Sequence, residues 1–237
     1  MASAELGLDP ARAGVGAVLL RSWAVGGLER QRAALAALRS AWERPWPGDT
    51  PPLACAALAS VDGTGLLQYA QIDADRPESV GELTASRWHG DRELGAALPG
   101  SEPGPVAQLR PYRCAGTGGP VPSRPHVVAV SLTLAAASES SQREWADSVI
   151  AALASDPRPA LGLRRAHFHL GADGTTILNL AEWDDEQSFR AWAGRPEPVE
   201  ELTPEWRRVH DFAGVAGHRL AAYRWALAVG RPSAPRT

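Results

Sequence analysis

The chain repeats itself at a fixed displacement of 111 residues. That shift lays Asp62-Gly63-Thr64 on Asp173-Gly174-Thr175 and Gln68-Tyr69-Ala70 on Asn179-Leu180-Ala181. It also lays Asp73 on Asp184, Leu109 on Leu220 and Tyr112-Arg113 on Tyr223-Arg224, with no net gap from the first strand to the last. A repeat held in one register means one supersecondary unit made twice, each copy with a face for the other to cover. The 237 residues therefore divide as two small units, 14–114 and 126–229, joined by a Gly/Pro-rich linker at 115–125.

Within each copy the periodicity predicts the same order of elements. In the first, Val15 to Val25 alternates as a strand, and Leu28, Leu35, Leu38 and Trp42 mark one face of a helix. Pro45, Pro47, Pro51 and Pro52 forbid helix after that. Two strands, 53–60 and 66–72, flank the hairpin signal Asp62-Gly63. A partly helical stretch at 78–98 leads to a last strand at 106–114, where Pro111 suggests an edge or a bulge.

The second copy runs parallel to it. A strand at 126–135 precedes a helix capped by Ser138, with Trp145, Val149, Ile150 and Leu153 on one stripe. Strands 163–170 and 176–183 flank Asp173-Gly174. Asp184 with Gln187 reads as a capping box for a helix carrying Phe189 and Trp192, and 215–229 is the final strand. The order β-α-β-β-α-β is the ferredoxin-like motif, an antiparallel sheet with both helices on one face. The fold class expected is therefore α+β, two tandem ferredoxin-like units whose bare sheet faces are covered within one chain.

Composition removes several classes of function. A net charge of -3, with all 24 basic residues arginine, provides no field for nucleic acid. No apolar run reaches the roughly 20 residues that span a bilayer, and Met1 to Ala13 has no apolar segment of the signal-peptide kind. A cytoplasmic location is expected. Cys55 and Cys114 match no metal or redox spacing and are expected as two buried free thiols. No metal site is expected. Nine Trp against three Phe and three Tyr imply generous core filling or a pocket for flat ligands. No nucleotide-binding glycine loop is present. The tail after Gly230 is expected to be disordered.

The second copy reads Ala166-His167-Phe168-His169-Leu170, then Ala172-Asp173-Gly174-Thr175, then Ile177-Leu178-Asn179-Leu180-Ala181-Glu182-Trp183. This resembles the antibiotic biosynthesis monooxygenase family of the dimeric α+β barrel superfamily, over both copies from about Gly14 to Val229. The resemblance implies an intrachain dimeric α+β barrel, a pseudo-dimer that can pair further as a homodimer. It implies an oxygenase of a polycyclic aromatic polyketide, oxidising or opening an anthrone-like or naphthol-like ring in antibiotic biosynthesis. It also matches Asn179 and Trp183 to residues of the family's substrate cavity. Where some members carry Tyr, this chain has Phe189, which puts the phenol's role in doubt. Gln68 and Ile72 stand at the Asn and Trp positions of the first copy, so the working site is expected in the second.

The residues themselves allow that chemistry. Asn179 and Trp183 are four apart on one strand and share a face, as do His167 and His169 on the strand before. The amide can polarise a carbonyl, and a histidine is the natural base near neutral pH. The carbanion left by proton removal can reduce dioxygen, the expected co-substrate, without a metal. The alternative is a diffusible reduced flavin (FADH2 or FMNH2) from a separate flavin reductase. Tyr223, Arg224, Phe189, Trp192, Trp206 and His210 are the substrate-binding candidates. Each residue also has a plain structural reading: a packing Trp, an Asn bonded to backbone, a solvated Arg. Two other functions suit the scaffold, a polyketide cyclase or isomerase that needs no oxygen, and a non-catalytic aromatic-ligand-binding protein.

Overall fold

A computed structural model of the chain describes residues 9–46, 51–85, 88–117, 120–194 and 201–230. Among the described residues eight strands follow in the order expected, with six helices where four were expected. They are β1 (Val15–Ala24), α1 (Leu28–Trp42), β2 (Ala54–Ser60), β3 (Gly65–Asp73), α2 (Glu78–Ala85), α3 (Asp91–Ala97) and β4 (Ala107–Ala115), then β5 (His126–Leu134), α4 (Glu139–Ser155), β6 (Leu163–Gly171), β7 (Thr176–Trp183), α5 (Glu186–Ala193), α6 (Pro204–His210) and β8 (Val215–Gly230). The stretch 78–98 resolves into two short helices. A further helix, α6, starts with Pro204 behind a Thr203 cap that accepts from the Trp206 N–H at 3.2 Å. No helix among the described residues is long and apolar enough to cross a membrane. The tail after Gly230, expected to be disordered, lies outside the described residues.

Hydrogen-bonded neighbours run β1-β3-β2-β8-β5-β7-β6-β4, and the order closes on β1. This is the α+β barrel topology of two ferredoxin-like halves. The chain forms two compact units, residues 1–111 with 222–237, and 112–221. These units are not the two sequence copies. Each boundary falls inside a strand, β4 or β8, so the end of each copy's last strand is counted with the other copy. In the first unit β8 pairs with β2, Ala59 opposite Arg224 and Ser60 opposite Tyr223, with a register shift between Ala57 and Leu58.

The core of each unit lies between sheet and helices. In the first, Leu19, Trp23, Leu66, Ala70 and Ile72 of the sheet meet Ala34, Leu38 and Trp42 of α1 and Leu94 of α3. Leu28, expected on the buried face of α1, is 53% exposed at the helix start, and Gln31 is buried in its place. Burying that amide is possible because its Nε2 donates to the backbone oxygens of Ser60 and Gly65 at 3.0 and 2.9 Å. Gln142 of α4 does the same in the second unit, donating to Gly171 and Thr176 at 3.1 and 2.8 Å. All three positions of each set are related by the displacement of 111. Each hairpin turns on a glycine at positive φ, Gly63 at 77° and Gly174 at 72°.

Two further expectations are corrected. The cap of α5 is Asp185, whose carboxylate accepts from the Ser188 N–H at 2.7 Å. Asp184 instead holds Arg164 through two bonds of 2.6 and 2.5 Å, because a register shift in β6 between Leu163 and Arg165 turns Arg164 towards it. Of the two thiols, Cys55 is buried but Cys114 is exposed, near the end of β4.

Candidate functional site

The antiparallel registers decide which side chains share a face. Phe168, Asn179 and Val130 lie directly opposite one another on β6, β7 and β5. Trp183 lies opposite His126 and Leu163. All belong to the helix-covered face, because Phe168 packs with Trp145 and Val149 of α4 and Trp183 packs with Leu153 of α4 and with Phe189 and Trp192 of α5. His167 and His169 stand opposite Leu180 and Leu178, one residue out of step, and so project from the face turned away from the helices. The sheet therefore separates the amide and indole from the two imidazoles. The expectation of one site holding all four is corrected.

On the helix-covered face the apolar core divides in two. One cluster gathers around Ile177, Phe168 and Trp145, the other around Ala181, Val128 and Trp183. Asn179, at 8% exposure, stands between them on β7, and its Oδ1 has no hydrogen-bond partner among the described residues. Trp183 Nε1 is likewise buried without an acceptor. Buried polar atoms in native proteins are almost always paired, so an acceptor and a donor left bare on one face make this face the candidate site.

Aromatic rings run along the same side. Trp183 contacts Phe189 edge-on and Trp192 at a tilt, each with 5.5 Å between centroids. Trp192 continues to Trp206 at 5.9 Å, and the Trp206 Nε1 donates to Asp156 at 2.9 Å. His126 lies 5.8 Å from Phe189. It was not singled out in the sequence, since the displacement of 111 places Val15 against it and only the β5–β7 register shows it beside Trp183. Its charge helps hold the Asp185 carboxyl below the usual carboxylate range, after the larger effect of bonds from Ser188. None of the side chains of α5 is fully buried, so this wall of aromatics is lightly held.

The remaining candidates are taken in turn. Tyr223 and Arg224 belong to the sheet of the first unit by their pairing with β2, and Arg224 is exposed. His210 is exposed and bonds Asp211 at 2.8 Å. His167 and His169 have an environment of their own. His167 Nε2 lies 3.2 Å from Glu182 Oε2, both buried. Burial opposes charge on His167, but bonds to Cys114 and Glu182 outweigh it, and its pKa is pushed up to about 9. Burial, then the neighbouring His167 charge, hold His169 down at about 4.

No family model matches the chain, and no curated protein matches it. Solved structures do. An "anthrone oxidase-like protein" superposes with a TM-score of 0.65 at 16% identity, covering 94% of this chain and 95% of that one. A "putative monooxygenase" from Lactobacillus acidophilus gives 0.55 at 8% identity over 91% and 96% of the two chains. Another so described, from Fusobacterium nucleatum, gives 0.56 at 9% over 93% and 97%. These likenesses extend through nearly the whole chain and establish the fold.

Proposed function

We propose that the chain is an oxygenase of a flat, polycyclic aromatic polyketide intermediate, and that the helix-covered face of the second unit is where the ring binds. One observation carries this reading: Asn179 Oδ1 and Trp183 Nε1, an acceptor and a donor, lie buried and unpartnered on one strand face beside a run of aromatic rings. Positions four apart on a strand are roughly 13 Å apart, a span suited to a fused ring system bearing a hydroxyl at one end and a carbonyl at the other. The names of the similar structures favour oxygenation over other chemistry on this fold.

In this reading Asn179 Oδ1 accepts a phenolic hydroxyl, and Trp183 Nε1 donates to the carbonyl whose oxygen gains charge as the ring is deprotonated. Phe189 and Trp192 cover the ring and exclude water. His126, on the same face, is the base in place of His167 and His169. The carbanion gives one electron to dioxygen, and the radical pair joins through a new C–O bond. Loss of water then leaves a carbonyl, so that a methylene and one O2 become a C=O and one H2O. An isoalloxazine ring, also flat with donors and acceptors on its edge, would fit the same residues and would supply electrons to dioxygen.

The test is turnover of a hydroxyanthrone under 18O2, with and without reduced flavin. Label in the new carbonyl is expected, with loss in Asn179→Leu and His126→Gln variants. Turnover without oxygen would instead indicate a cyclase, and binding without turnover a ligand-binding protein.

A further inference from the structure

His167 and Glu182 are buried titratable groups that the proposed reaction does not use. The antiparallel register sets His167 opposite Leu180 and Arg165 opposite Glu182, so His167 and Glu182 share the face turned away from the helices. His167 Nε2 lies 3.2 Å from Glu182 Oε2, and each residue is 3% exposed. A third member comes from β4, the neighbour of β6 on its other side. Thr117 Oγ1 donates to the Leu163 carbonyl oxygen at 3.3 Å, and Gly116 lies so near β6 that a Cβ there would collide with the Arg164 carbonyl oxygen. Counting back along one strand and forward along the other brings Cys114 alongside His167, to which it is hydrogen-bonded. All three residues belong to the second unit, and Cys114 is exposed.

A thiol, an imidazole and a carboxylate in this order are a nucleophile, its proton partner and a group that orients the partner. The sulfur meets solvent, while the other two are sealed from it. Burial opposes charge on His167, but the bonds to Cys114 and Glu182 outweigh it, and the ring holds its charge up to a pH of about 9. A charged imidazole has two N–H groups and no acceptor, so it meets both neighbours as a donor. Its titratable neighbours on this face are Arg165 and His169 of β6, Glu182 of β7 and Cys114 of β4. Burial, then the His167 charge, keeps His169 neutral down to about pH 4. The fold does not require such a set. The displacement of 111 lays Cys114 on Trp225, Ala56 on His167 and Gln71 on Glu182, so the other copy fills these positions without a titratable group. Burying an imidazole and a carboxylate is costly where uncharged side chains serve.

We propose that Cys114 is a site of oxidation by hydrogen peroxide, with His167 as the acid for the departing oxygen and Glu182 as the residue that positions His167. In the reacting state the thiolate faces the His167 imidazolium. The sulfur attacks one peroxide oxygen, an S–O bond forms and the O–O bond breaks. The second oxygen leaves with the electron pair and takes the His167 proton, so that it departs as water. The cysteine loses two electrons and becomes a sulfenic acid, and one H2O2 is reduced to one H2O. Peroxide is small and needs access to an exposed sulfur, not a cavity. The inference shares no residue with the oxygenase reading and does not depend on it.

The test uses the full chain. Hydrogen peroxide followed by dimedone, read by peptide mass spectrometry, should label Cys114 and leave the buried Cys55, whose thiol burial pushes up, unlabelled. The rates of peroxide oxidation and of iodoacetamide alkylation at Cys114 are then compared from about pH 7 to 10. Both reactions consume the thiolate, so their ratio cancels its amount, and iodide, unlike hydroxide, leaves without a proton. The ratio should be level near pH 7 and fall as His167 loses its charge through about 9. In His167→Gln it should be at least about tenfold lower at pH 7 and independent of pH, and Glu182→Gln should move the fall to lower pH. A purely structural imidazole would leave the ratio unmoved. The unaltered protein supplies the dimedone reading and the first profile without any variant. No dimedone adduct on Cys114, a ratio constant across that pH range, or an equal ratio in His167→Gln would each overturn the proposal.

Discussion

The Asn179 side-chain oxygen accepts no hydrogen bond among the described residues, so replacing it tests what it is for. Asn179→Leu removes a buried acceptor that has nothing to accept. Its chemical denaturation midpoint should equal or exceed that of the unaltered protein, by up to about 1–2 kcal/mol, while turnover of the aromatic substrate is lost. Gain of stability with loss of activity is the signature of a polar group kept for a ligand. His167 and His169 make a second, pH-dependent prediction. A pKa of about 9 for folded His167, above the unfolded 6.5, gives a contribution fully present below pH 6.5 and lost as pH rises through 9. A value of about 4 for His169, below its unfolded value, means the unfolded chain binds the extra proton between pH 4 and 6.5, so stability falls as pH drops through that window. Stability should therefore peak near pH 6.5, with slopes of at most about 1.4 kcal/mol per pH unit per proton on either side. Denaturant titrations of a His167→Gln/Glu182→Gln double variant should lose the alkaline slope. The two same-face pairs were legible from the sequence, since alternation shows that Asn179 goes with Trp183 and His167 with His169. Alternation cannot show which face each pair occupies. That needed the register that sets Phe168 opposite Asn179, and it divides the four residues between the two sides of the sheet.

At the scale of elements, the deepest resemblance between the copies is a bond pattern. Gln31 and Gln142 each reach from the first helix of a copy to two backbone oxygens flanking its hairpin. Replacing Gln142 with Leu takes a side-chain donor from both carbonyls, of which Gly171 keeps the Gly174 N–H, and unfolding free energy should fall by about 1–3 kcal/mol. Exchange of the amides in β6 and β7 should accelerate more than that of α6. The signal for this pin was present at the same displacement that revealed the repeat, but a glutamine within a helical stripe reads as surface until its partners are known. Helix α5 offers the converse case. Its half-buried rings, Phe189 and Trp192, pack against Trp183, His126 and Trp206, with a cap at Asp185. Amides of α5 should exchange quickly in the free protein and slow on binding of an aromatic ligand, measured by mass spectrometry. The choice of Asp185 over Asp184 as cap escaped sequence reasoning because both precede the helix, and only the bulge at Arg164 recruits Asp184 into an ion pair.

For the molecule as a whole, element order was readable because period-two and period-3.6 patterns are local. The destination of the last strand was not, because a strand's sequence does not name its neighbour. Tyr223 and Arg224 were expected as substrate-binding residues, and the register places them opposite Ser60 and Ala59 of β2. A chain ending at Ala221 would leave β2 with a bare edge. Amides of Ala54–Ser60 should then lose protection, and sedimentation should show self-association that the longer chain lacks. The pairing of Ala54 with Gly230 also sets a timetable for the newborn protein. The half that leaves the ribosome first cannot close its sheet until Gly230 has been made. Throughout the intervening elongation its open strand is available to wrong partners. Chaperone dependence and sensitivity to premature termination should accordingly fall on the early half of the chain, whose own codons would by then have been translated without error.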